Sequence, residues 1–474
     1  MDRYRYLLKN IGILTLGSFA TKLLSFFLVP LYTNILTTAE YGTYDLFSTT
    51  IGVLLPILTM NIQESVLRFA LDNQHSRTSI VSVGVRYLLI GSGVTALGLA
   101  VNSILDLNGM LKEYAVFFFL MFFMQALSGI LLSYSRGTER VSDLAVSGVI
   151  SSAVAIGCNI VFLVVFQWGL VGYFLANLSG SLVQCLYLIF RGGIVHEVDF
   201  RRKYSHTEKE MLAYCRPLIA NSIAWWVNNT SDRYIVVFFC GLAENGIYAV
   251  GSKIPSILNL FQSIFSQAWA ISAVKGFDPE DKSGFFTNTY KAYNCIMVIL
   301  CSAIIVADKM LARFLYAKDF YLAWRFVPWL TIAIVFGSAS GYIGGIFAAI
   351  KQVKLSSRAA IIGAVTNVCL NLLLTPIMGA MGASVATTIS YFAAWVFRYS
   401  YLRQYINMRI NLGRDLAAYA ILVAQAIVLC TVEQAGILYP TEIALFCVIA
   451  ALYIKDTLTI VLRGMRTSGG ANQS

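Results

Sequence analysis

Residues 115–135 read AVFFFLMFFMQALSGILLSYS, a stretch of 21 residues without a charged side chain. A helix of that length is long enough to cross the ~30 Å hydrocarbon core of a bilayer. The whole chain of 474 residues has the same character, since 58% of its residues are hydrophobic and only 12% are charged. Soluble domains carry about 25% charged residues. The composition therefore excludes a soluble protein and predicts an all-α polytopic membrane protein.

Apolar stretches of similar length recur along the chain and predict about 14 transmembrane helices. The seventh and eighth are the weakest, because they contain Asp232, Arg233 and Lys253, and a count of twelve helices remains open. The predicted spans are 11–36, 43–63, 79–101, 115–135, 142–166, 169–190, 217–240, 246–272, 290–308, 327–350, 359–378, 381–402, 415–433 and 438–462.

The distribution of basic residues supports this count. If the N-terminus is cytoplasmic, 25 of the 35 Lys and Arg residues fall in cytoplasmic segments and 5 in outer segments. Such a bias is what the positive-inside rule predicts for the correct topology. It places both termini in the cytoplasm. It also explains the net charge of +11 through topology, so nucleic acid is not an expected partner.

Signals for processing, metals or catalysis are weak in this sequence. The first apolar stretch contains Lys22 and lacks a small-residue cleavage site, so we do not expect a cleaved signal peptide. The 9 cysteines form no CxxC pair, and His75, His196 and His206 lack ligand spacing. No GxxxxGK[ST] nucleotide loop is present, and the largest extramembrane segment, 192–216, is too short for a catalytic domain. We therefore expect no metal, no cofactor and no enzyme activity.

Two motifs repeat in order along the chain, which indicates a duplication. At a shift of 204 positions, Ala39-Glu40-x-Gly42-x-Tyr44 matches Ala243-Glu244-x-Gly246-x-Tyr248. At a shift of 210, Gly169-x-x-Gly172-x-x-x-Ala176 matches Gly379-x-x-Gly382-x-x-x-Ala386. We interpret the first motif as a tight outer turn with glycine at positive φ and glutamate as a helix cap. The second is typical of closely packed membrane helices.

The duplication divides the predicted helices into lobes that begin on the same side of the membrane, which makes the repeat parallel. The predicted organisation is an N-lobe with helices 1–6 at 1–191, a cytoplasmic linker at 192–213, a C-lobe with helices 7–12 at 214–403, and two additional helices with a cytoplasmic tail at 404–474.

Several short segments, spread over residues ~10–403, resemble one known family. They are Asn10, the run from Phe19 to Pro30, Glu40-Tyr41-Gly42, Arg68-Phe69, Pro217-Leu218, Asp232-Arg233-Tyr234, Gly246-Ile247-Tyr248, Trp269, and Asn367-x-x-x-Asn371 through Pro376 to Gly379-x-x-Gly382-Ala383. With these residues the chain resembles the polysaccharide-transporter branch of the multidrug/oligosaccharidyl-lipid/polysaccharide exporter superfamily.

The resemblance implies a V-shaped pair of six-helix lobes that open a central cavity alternately to either side of the membrane. It implies transport of undecaprenyl-diphosphate-linked oligosaccharides for capsule, O-antigen, teichoic acid or exopolysaccharide synthesis in a bacterial cytoplasmic membrane. The expected partners are the lipid-linked oligosaccharide, membrane lipids and glycan polymerases or other assembly enzymes. The expected oligomeric state is a monomer.

Charged residues within or next to the spans are the candidate site residues. A Lys or Arg at mid-bilayer costs about 2.5–3.5 kcal/mol, so it usually faces a wet cavity or a partner. Basic side chains there can bind the diphosphate of the cargo. The candidates for this role are Lys22, Arg233, Lys253, Arg68 and Arg86. The candidate charge partners or coupling residues are Asp45, Asp232 and Glu64.

Two interpretations of these residues remain open. Asp45 or Asp232 could instead pair with Arg233 or Lys253 as a tie between helices. Aromatic residues near the same spans either stack on sugar rings or form an interfacial belt. These aromatic residues are Trp225, Trp226, Trp269, Tyr44 and Tyr248.

Three other functions compete with oligosaccharide transport. A cation-coupled multidrug exporter of the same superfamily is expected to have an acid in the first span, where this chain has Lys22 and no acid. A membrane glycan polymerase or ligase is expected to have a long outer loop with acid/base residues, whereas the longest outer loop here, 309–326, contains no histidine. A non-transporting scaffold is the third alternative, although the charges within the membrane would then lack a purpose.

Overall fold

The computed structural model describes residues 26–470 except 73, 200, 201 and 203. Most of the predicted first span, with Lys22, lies outside the described residues. The chain divides into two compact units, the first ending at Arg233 and the second beginning at Tyr234. The predicted lobes, 1–191 and 214–403, stay a prediction.

The described part of the first unit consists of helices. They are α1 (Val29–Ile35), α2 (Thr38–Leu58), α3 (Ile62–Asp72), α4 (Arg77–Leu105), α5 (Gly109–Glu113), α6 (Ala115–Gly137), α7 (Val141–Asn159, continued by the π-helical turn Ile160–Val165), α8 (Gly169–Gly192) and α9 (Ser205–Thr230), with a 3₁₀ turn at Ile194–Glu197. The end of the predicted linker, 192–213, is therefore helical, since α9 begins at Ser205.

The second unit is built in the same way. Its helices are α10 (Asp232–Gly251, which starts within the first unit), α11 (Pro255–Lys275), α12 (Phe285–Leu315), α13 (Val327–Ala349), α14 (Val353–Met378), α15 (Ala380–Leu402), α16 (Leu412–Thr431) and α17 (Ala435–Gly470), with a 3₁₀ helix at Lys318–Arg325. The two C-terminal helices are tied to α12 by buried hydrogen bonds. Tyr419 Oη donates to Asn294 Oδ1 at 2.8 Å, and Asn294 Nδ2 donates to Tyr453 Oη at 3.1 Å.

The predicted all-α membrane fold is confirmed. Among the described residues, 12 helices are long and apolar enough to cross a membrane, and there are 13 if α2 and α3, bent by 57°, form one span. Most of the predicted first span, 11–36, lies outside the described residues and is not counted among these helices. The total therefore agrees with the prediction of about 14 helices.

The weakest predicted spans meet at a break in α10. Gly241 has φ 84° and ψ 177°, a backbone conformation that is not helical. The chain therefore turns between the predicted seventh span, 217–240, and the predicted eighth span, 246–272. Helix α9, which forms most of the seventh span, is not among the 12 apolar helices. Its polar residues have a structural use in the first unit, described below.

The first repeated motif forms a helix cap, as predicted for its glutamate. Thr37 Oγ1 accepts from the backbone N–H of Glu40 at 3.2 Å, and Glu40 Oε2 accepts from the N–H of Thr37 at 2.7 Å. The predicted positive φ at Gly42 is wrong. Since α2 already begins at Thr38, Gly42 lies inside the helix and is buried there.

The left-handed glycine belongs to the second motif and lies next to the first. Gly169 has φ +52°, and a Cβ built on it would lie 3.2 Å from Oε1 of Glu40. In the second unit Gly379 has φ +63°, and its Cβ would lie 3.7 Å from Oε1 of Glu244. The same two motifs thus adjoin in each unit, which supports the duplication.

Close helix packing at the second motif agrees with its predicted role. A Cβ on Gly172 would lie 3.1 Å from the carbonyl oxygen of Phe162. A Cβ on Gly382 would overlap the carbonyl group of Leu374. Each glycine therefore lets the backbones of two successive helix segments approach within contact distance.

Candidate functional site

A polar cavity of about 840 Å³ lies within the first unit. Helices α2, α3, α6, α8 and α9 supply its wall together with the start of α10. The amide and aliphatic hydroxyl side chains of the wall are Ser48, Thr49, Asn61, Gln63, Gln125, Ser128, Asn177, Ser181, Asn221, Ser222 and Thr230. In a membrane protein such groups face a partner or a wet cavity because lipid cannot hydrogen-bond them. The arrangement fits a large ligand with many hydroxyl groups.

An ion pair lies in the wall of this cavity. Arg233 Nη1 donates to Asp45 Oδ2 at 2.6 Å, and the two side chains are 17% and 18% exposed. The structure thus brings two predicted site residues together in the pairing that the tie interpretation proposed. The neighbouring Asp232 is buried, and its Oδ1 accepts from the backbone N–H of Arg233 at 2.9 Å.

Helix α9 presents its polar residues to the cavity because hydrogen bonds hold it against α2 and α3. Trp226 Nε1 donates to the carbonyl oxygen of Thr49 at 2.9 Å, and Asn61 Nδ2 donates to Ser222 Oγ at 3.2 Å. Ser65 Oγ donates to the carbonyl oxygen of Met211 at 3.2 Å. These bonds fix the rotation of α9 and place Asn221, Ser222 and Thr230 in the cavity wall.

Glycine also shapes the wall. A Cβ on Gly129 of α6 would overlap Oε1 of Gln63, and a Cβ on Gly52 would lie 3.5 Å from the indole of Trp226. Gly129 therefore leaves room for Gln63, whereas a Cβ at position 52 would make an ordinary van der Waals contact with Trp226. Neither contact is visible in a linear sequence, because each joins residues more than 60 positions apart.

The other predicted site residues lie elsewhere or have partners. Arg86 Nη1 donates to Glu208 Oε2 at 2.7 Å and so ties α4 to α9. Arg68 pairs with Asp72 at 3.3 Å on the exposed side of α3, where Glu64 is also exposed. Lys253 lies in the second unit, half-buried at the break between α10 and α11. A role of these residues in substrate binding stays a prediction.

The predicted aromatic residues separate into two groups. Tyr44 and Trp226 line the cavity. Trp269 and Tyr248 are buried in the second unit, where Trp269 Nε1 donates to the carbonyl oxygen of Tyr342 at 2.9 Å and Tyr248 packs on Phe326. The side chain of Trp225 lies outside the described set.

Two histidines that are far apart in sequence come together at one carboxylate. His75 Nε2 lies 3.0 Å from Glu210 Oε2, and His206 Nε2 lies 3.5 Å from Glu210 Oε1. His75 precedes α4, whereas His206 and Glu210 lie one turn apart at the start of α9. The spacing of 131 positions between the histidines concealed this arrangement.

A multi-pass helical membrane protein with a polar cavity inside a helix bundle has the architecture of a transporter. The chain belongs to the polysaccharide biosynthesis protein family, whose family model matches residues 7–270. The resemblance to the polysaccharide-transporter branch is thereby confirmed.

Individual proteins show the same relationship. A probable low-salt glycan biosynthesis flippase, Agl15 of Haloferax volcanii, is 21% identical over 318 residues. The match covers 64% of this chain and 64% of that relative, so it spans less than two thirds of either protein.

Among solved structures, the lipid II flippase MurJ in an inward closed conformation matches with a TM-score of 0.69 at 14% identity. That match covers 95% of this chain and 98% of MurJ. An inward-facing multidrug resistance transporter of the MATE family, of the MOP superfamily, matches with a TM-score of 0.67 at 13% identity and covers 84% and 96% of the two chains. At these identities the structural matches define the fold.

Proposed function

We propose that this protein is a flippase that moves an undecaprenyl-diphosphate-linked oligosaccharide from the cytoplasmic to the outer leaflet of a bacterial cytoplasmic membrane. The product serves synthesis of a surface polysaccharide, which is capsule, O-antigen, teichoic acid or exopolysaccharide. Both termini are cytoplasmic in this proposal. Transport proceeds by alternating access through a cationic cavity, without a cofactor.

The composition of the cavity wall carries this proposal. Amides such as Gln63, Gln125, Asn177 and Asn221 donate and accept hydrogen bonds in a neutral manner, as sugar hydroxyls do. The apolar part of the wall and the aromatic faces of Tyr44 and Trp226 suit the C–H faces of sugar rings. A volume of about 840 Å³ lies in the upper range of small-molecule sites, which suits an oligosaccharide.

Arg233 supplies the charge that the diphosphate requires. Its guanidinium is held by Asp45 at 2.6 Å, so this pair places no isolated charge in the cavity wall. An incoming diphosphate can compete with Asp45, because Arg binds phosphate with bidentate hydrogen bonds. Lys22, Lys253, Arg68 and Arg86 are further proposed anion contacts along the path, with Asp232 and Glu64 as charge partners.

The same ion pair argues against a multidrug exporter. A cationic drug or a coupling ion needs an acid that is available to it, and the acid in the cavity wall, Asp45, is engaged by Arg233. Among the residues that the structure describes, the other polar side chains of the wall are neutral. Neutral amides and hydroxyls favour a glycan over a cationic amphiphile.

Replacing one wall amide tests the proposal. Asn177→Leu is expected to reduce surface glycan about 5- to 150-fold in a deletion strain that expresses the variant, because loss of a buried polar contact to a ligand costs about 1–3 kcal/mol. Lipid-linked intermediate should accumulate on the inner side. Both quantities are measured by glycan staining and by extraction of lipid-linked oligosaccharides.

The matched control for this substitution is Asn34→Leu. Asn177 Nδ2 donates to the carbonyl oxygen of Tyr173 at 2.8 Å, and Asn34 Nδ2 donates to that of Pro30 at 2.7 Å, so both amides make the same local bond four residues back. Asn177 lines the cavity, whereas Asn34 is exposed. Normal glycan export by Asn177→Leu at normal membrane abundance would contradict the proposal.

Lys22 gives a second test, which rests on sequence alone. As the charge near the centre of the first span, it is proposed to bind the diphosphate. Lys22→Ala should leave a folded protein that no longer exports, Lys22→Arg should retain export, and Lys22→Glu should be inactive through repulsion. Export is compared with membrane abundance, which is measured by immunoblot. Normal transport by Lys22→Glu would contradict the proposed anion-binding role of Lys22.

A further inference from the structure

We propose that His75, His206 and Glu210 form a binding site for a transition-metal ion of the zinc class, at the end of the first unit predicted to be cytoplasmic. The proposal is independent of glycan transport. Two imidazoles and one carboxylate are a ligand set that Zn²⁺ commonly takes, with water in the fourth position. Imidazole ligands favour Zn²⁺ and its neighbours over Mg²⁺ or Ca²⁺, which prefer oxygen.

The distances between the ligand atoms fit one shared ion. One ligand atom from each residue can be chosen so that all three lie within 4.8 Å of one another. His75 Nε2 is 3.0 Å from Oε2 of Glu210, and His206 Nε2 is 3.5 Å from Oε1 of the same carboxylate. Atoms bound to one tetrahedral Zn²⁺ lie roughly 3–3.5 Å apart, since each is about 2.1 Å from the metal. Small rotations of the side chains are therefore enough to turn their Nε2 and Oε atoms toward a common centre.

Local structure orients two of the ligands before any ion binds. His206 and Glu210 are four residues apart on α9, which places them on the same face of the helix. The i, i+4 spacing is the one by which helices present paired metal ligands. His75 reaches the same point from the segment between α3 and α4.

His75 has a partner at its second ring nitrogen, as metal-binding histidines usually do. His75 Nδ1 lies 3.2 Å from Oγ1 of Thr207, which is buried, while its Nε2 faces Glu210. In metal sites the second ring nitrogen is generally held by such a partner, which fixes the tautomer and the ring orientation. His75 itself is 15% exposed, whereas His206 and Glu210 are 83% and 45% exposed and leave the ion a path from solvent.

An ion at this position would join the start of α9 to the turn between α3 and α4. Helix α9 carries Asn221, Ser222 and Trp226 in the cavity wall. The ion would therefore add a cross-link at one end of a helix whose other end forms the site. It would stabilise the first unit against local opening of α9, since a ligand that binds the folded state raises its stability.

The test is the binding of Zn²⁺ alone to the purified full-length protein without an affinity tag. Zn²⁺ is expected to raise the thermal midpoint of unfolding, and calorimetry should give one ion per chain, whereas Mg²⁺ should have no effect. His75→Gln, His206→Gln and Glu210→Gln should each weaken Zn²⁺ binding on the order of 100-fold or more, and Thr207→Val on the order of 10-fold.

His196→Gln is the control, because it removes the remaining histidine of the chain. It should bind Zn²⁺ as the unaltered protein does. No rise of the midpoint with Zn²⁺ would overturn the proposal and leave a hydrogen-bonded histidine–glutamate cluster. Equal weakening in His196→Gln, or an unchanged affinity in the double variant H75Q/H206Q, would also overturn it by showing adventitious surface binding.

Discussion

Arg233→Ala is expected to lower surface glycan at least about tenfold. Part of that loss should persist when a second substitution restores the membrane abundance of the protein. The single substitution has two effects. It removes the proposed diphosphate contact, and it leaves Asp45 without the partner that lies 2.6 Å away. Breaking a buried pair from one side costs up to ~3–5 kcal/mol, and less where the groups are partly exposed as here. Glycan export and membrane abundance are measured together.

The double variant D45A/R233A separates these two effects. With both charges removed, no unpaired charge remains in the wall, so abundance is expected to recover. Export should stay low, because the guanidinium that is proposed to bind the cargo is still missing. Arg233→Lys should retain part of the export. Recovery of export in the double variant would instead show that the pair is only a tie between helices.

Gly382→Ala is expected to prevent accumulation of folded protein. The added Cβ would overlap the backbone carbonyl group of Leu374, and backbone cannot move aside as a flexible side chain can. Overpacking usually costs about 1–3 kcal/mol, and overlap with backbone lies at the upper end or beyond. Fluorescence-detected size-exclusion chromatography of detergent extracts measures the folded fraction.

Two other glycines calibrate this result. Gly172→Ala, at the matching place in the first unit, meets its nearest atom at 3.1 Å and should be tolerated better than Gly382→Ala. Gly98→Ala in α4 has nothing within 4 Å and should leave the folded fraction unchanged. If all three variants behaved alike, close packing at Gly382 would not be the reason for its presence.

The sequence predicted the helices well because hydropathy is a local property. Each span can be recognised from its own ~20 apolar residues. The predicted span boundaries at Gly169, Gly241 and Gly379 coincide with breaks in the helices of the structure. The wrong prediction of a positive φ at Gly42 also comes from using local sequence alone. A turn motif gives the presence of a helix cap, whereas the residue at which the helix begins depends on the hydrogen bond between Thr37 and Glu40.

The cavity was predicted far less completely, because its wall depends on packing between distant segments. Attention to charge found Asp45 and Arg233 but missed Gln63, Gln125 and Asn177. A usable signal existed in these amides, since Asn and Gln within an apolar span require a partner or water. Which of them share one cavity follows only from the rotation of each helix, and that rotation is fixed by contacts such as Trp226 to Thr49.

The polarity of α9 has a consequence for how this protein is inserted into the membrane during its synthesis. Insertion into a bilayer is decided segment by segment from side-chain transfer energies, and α9 falls short of the hydropathy that its neighbours reach. It therefore depends on the helices made before it, which offer hydrogen bonds at Thr49, Asn61 and Ser65. A polar cavity wall and self-sufficient membrane insertion make opposite demands on this helix, and the order of synthesis reconciles them.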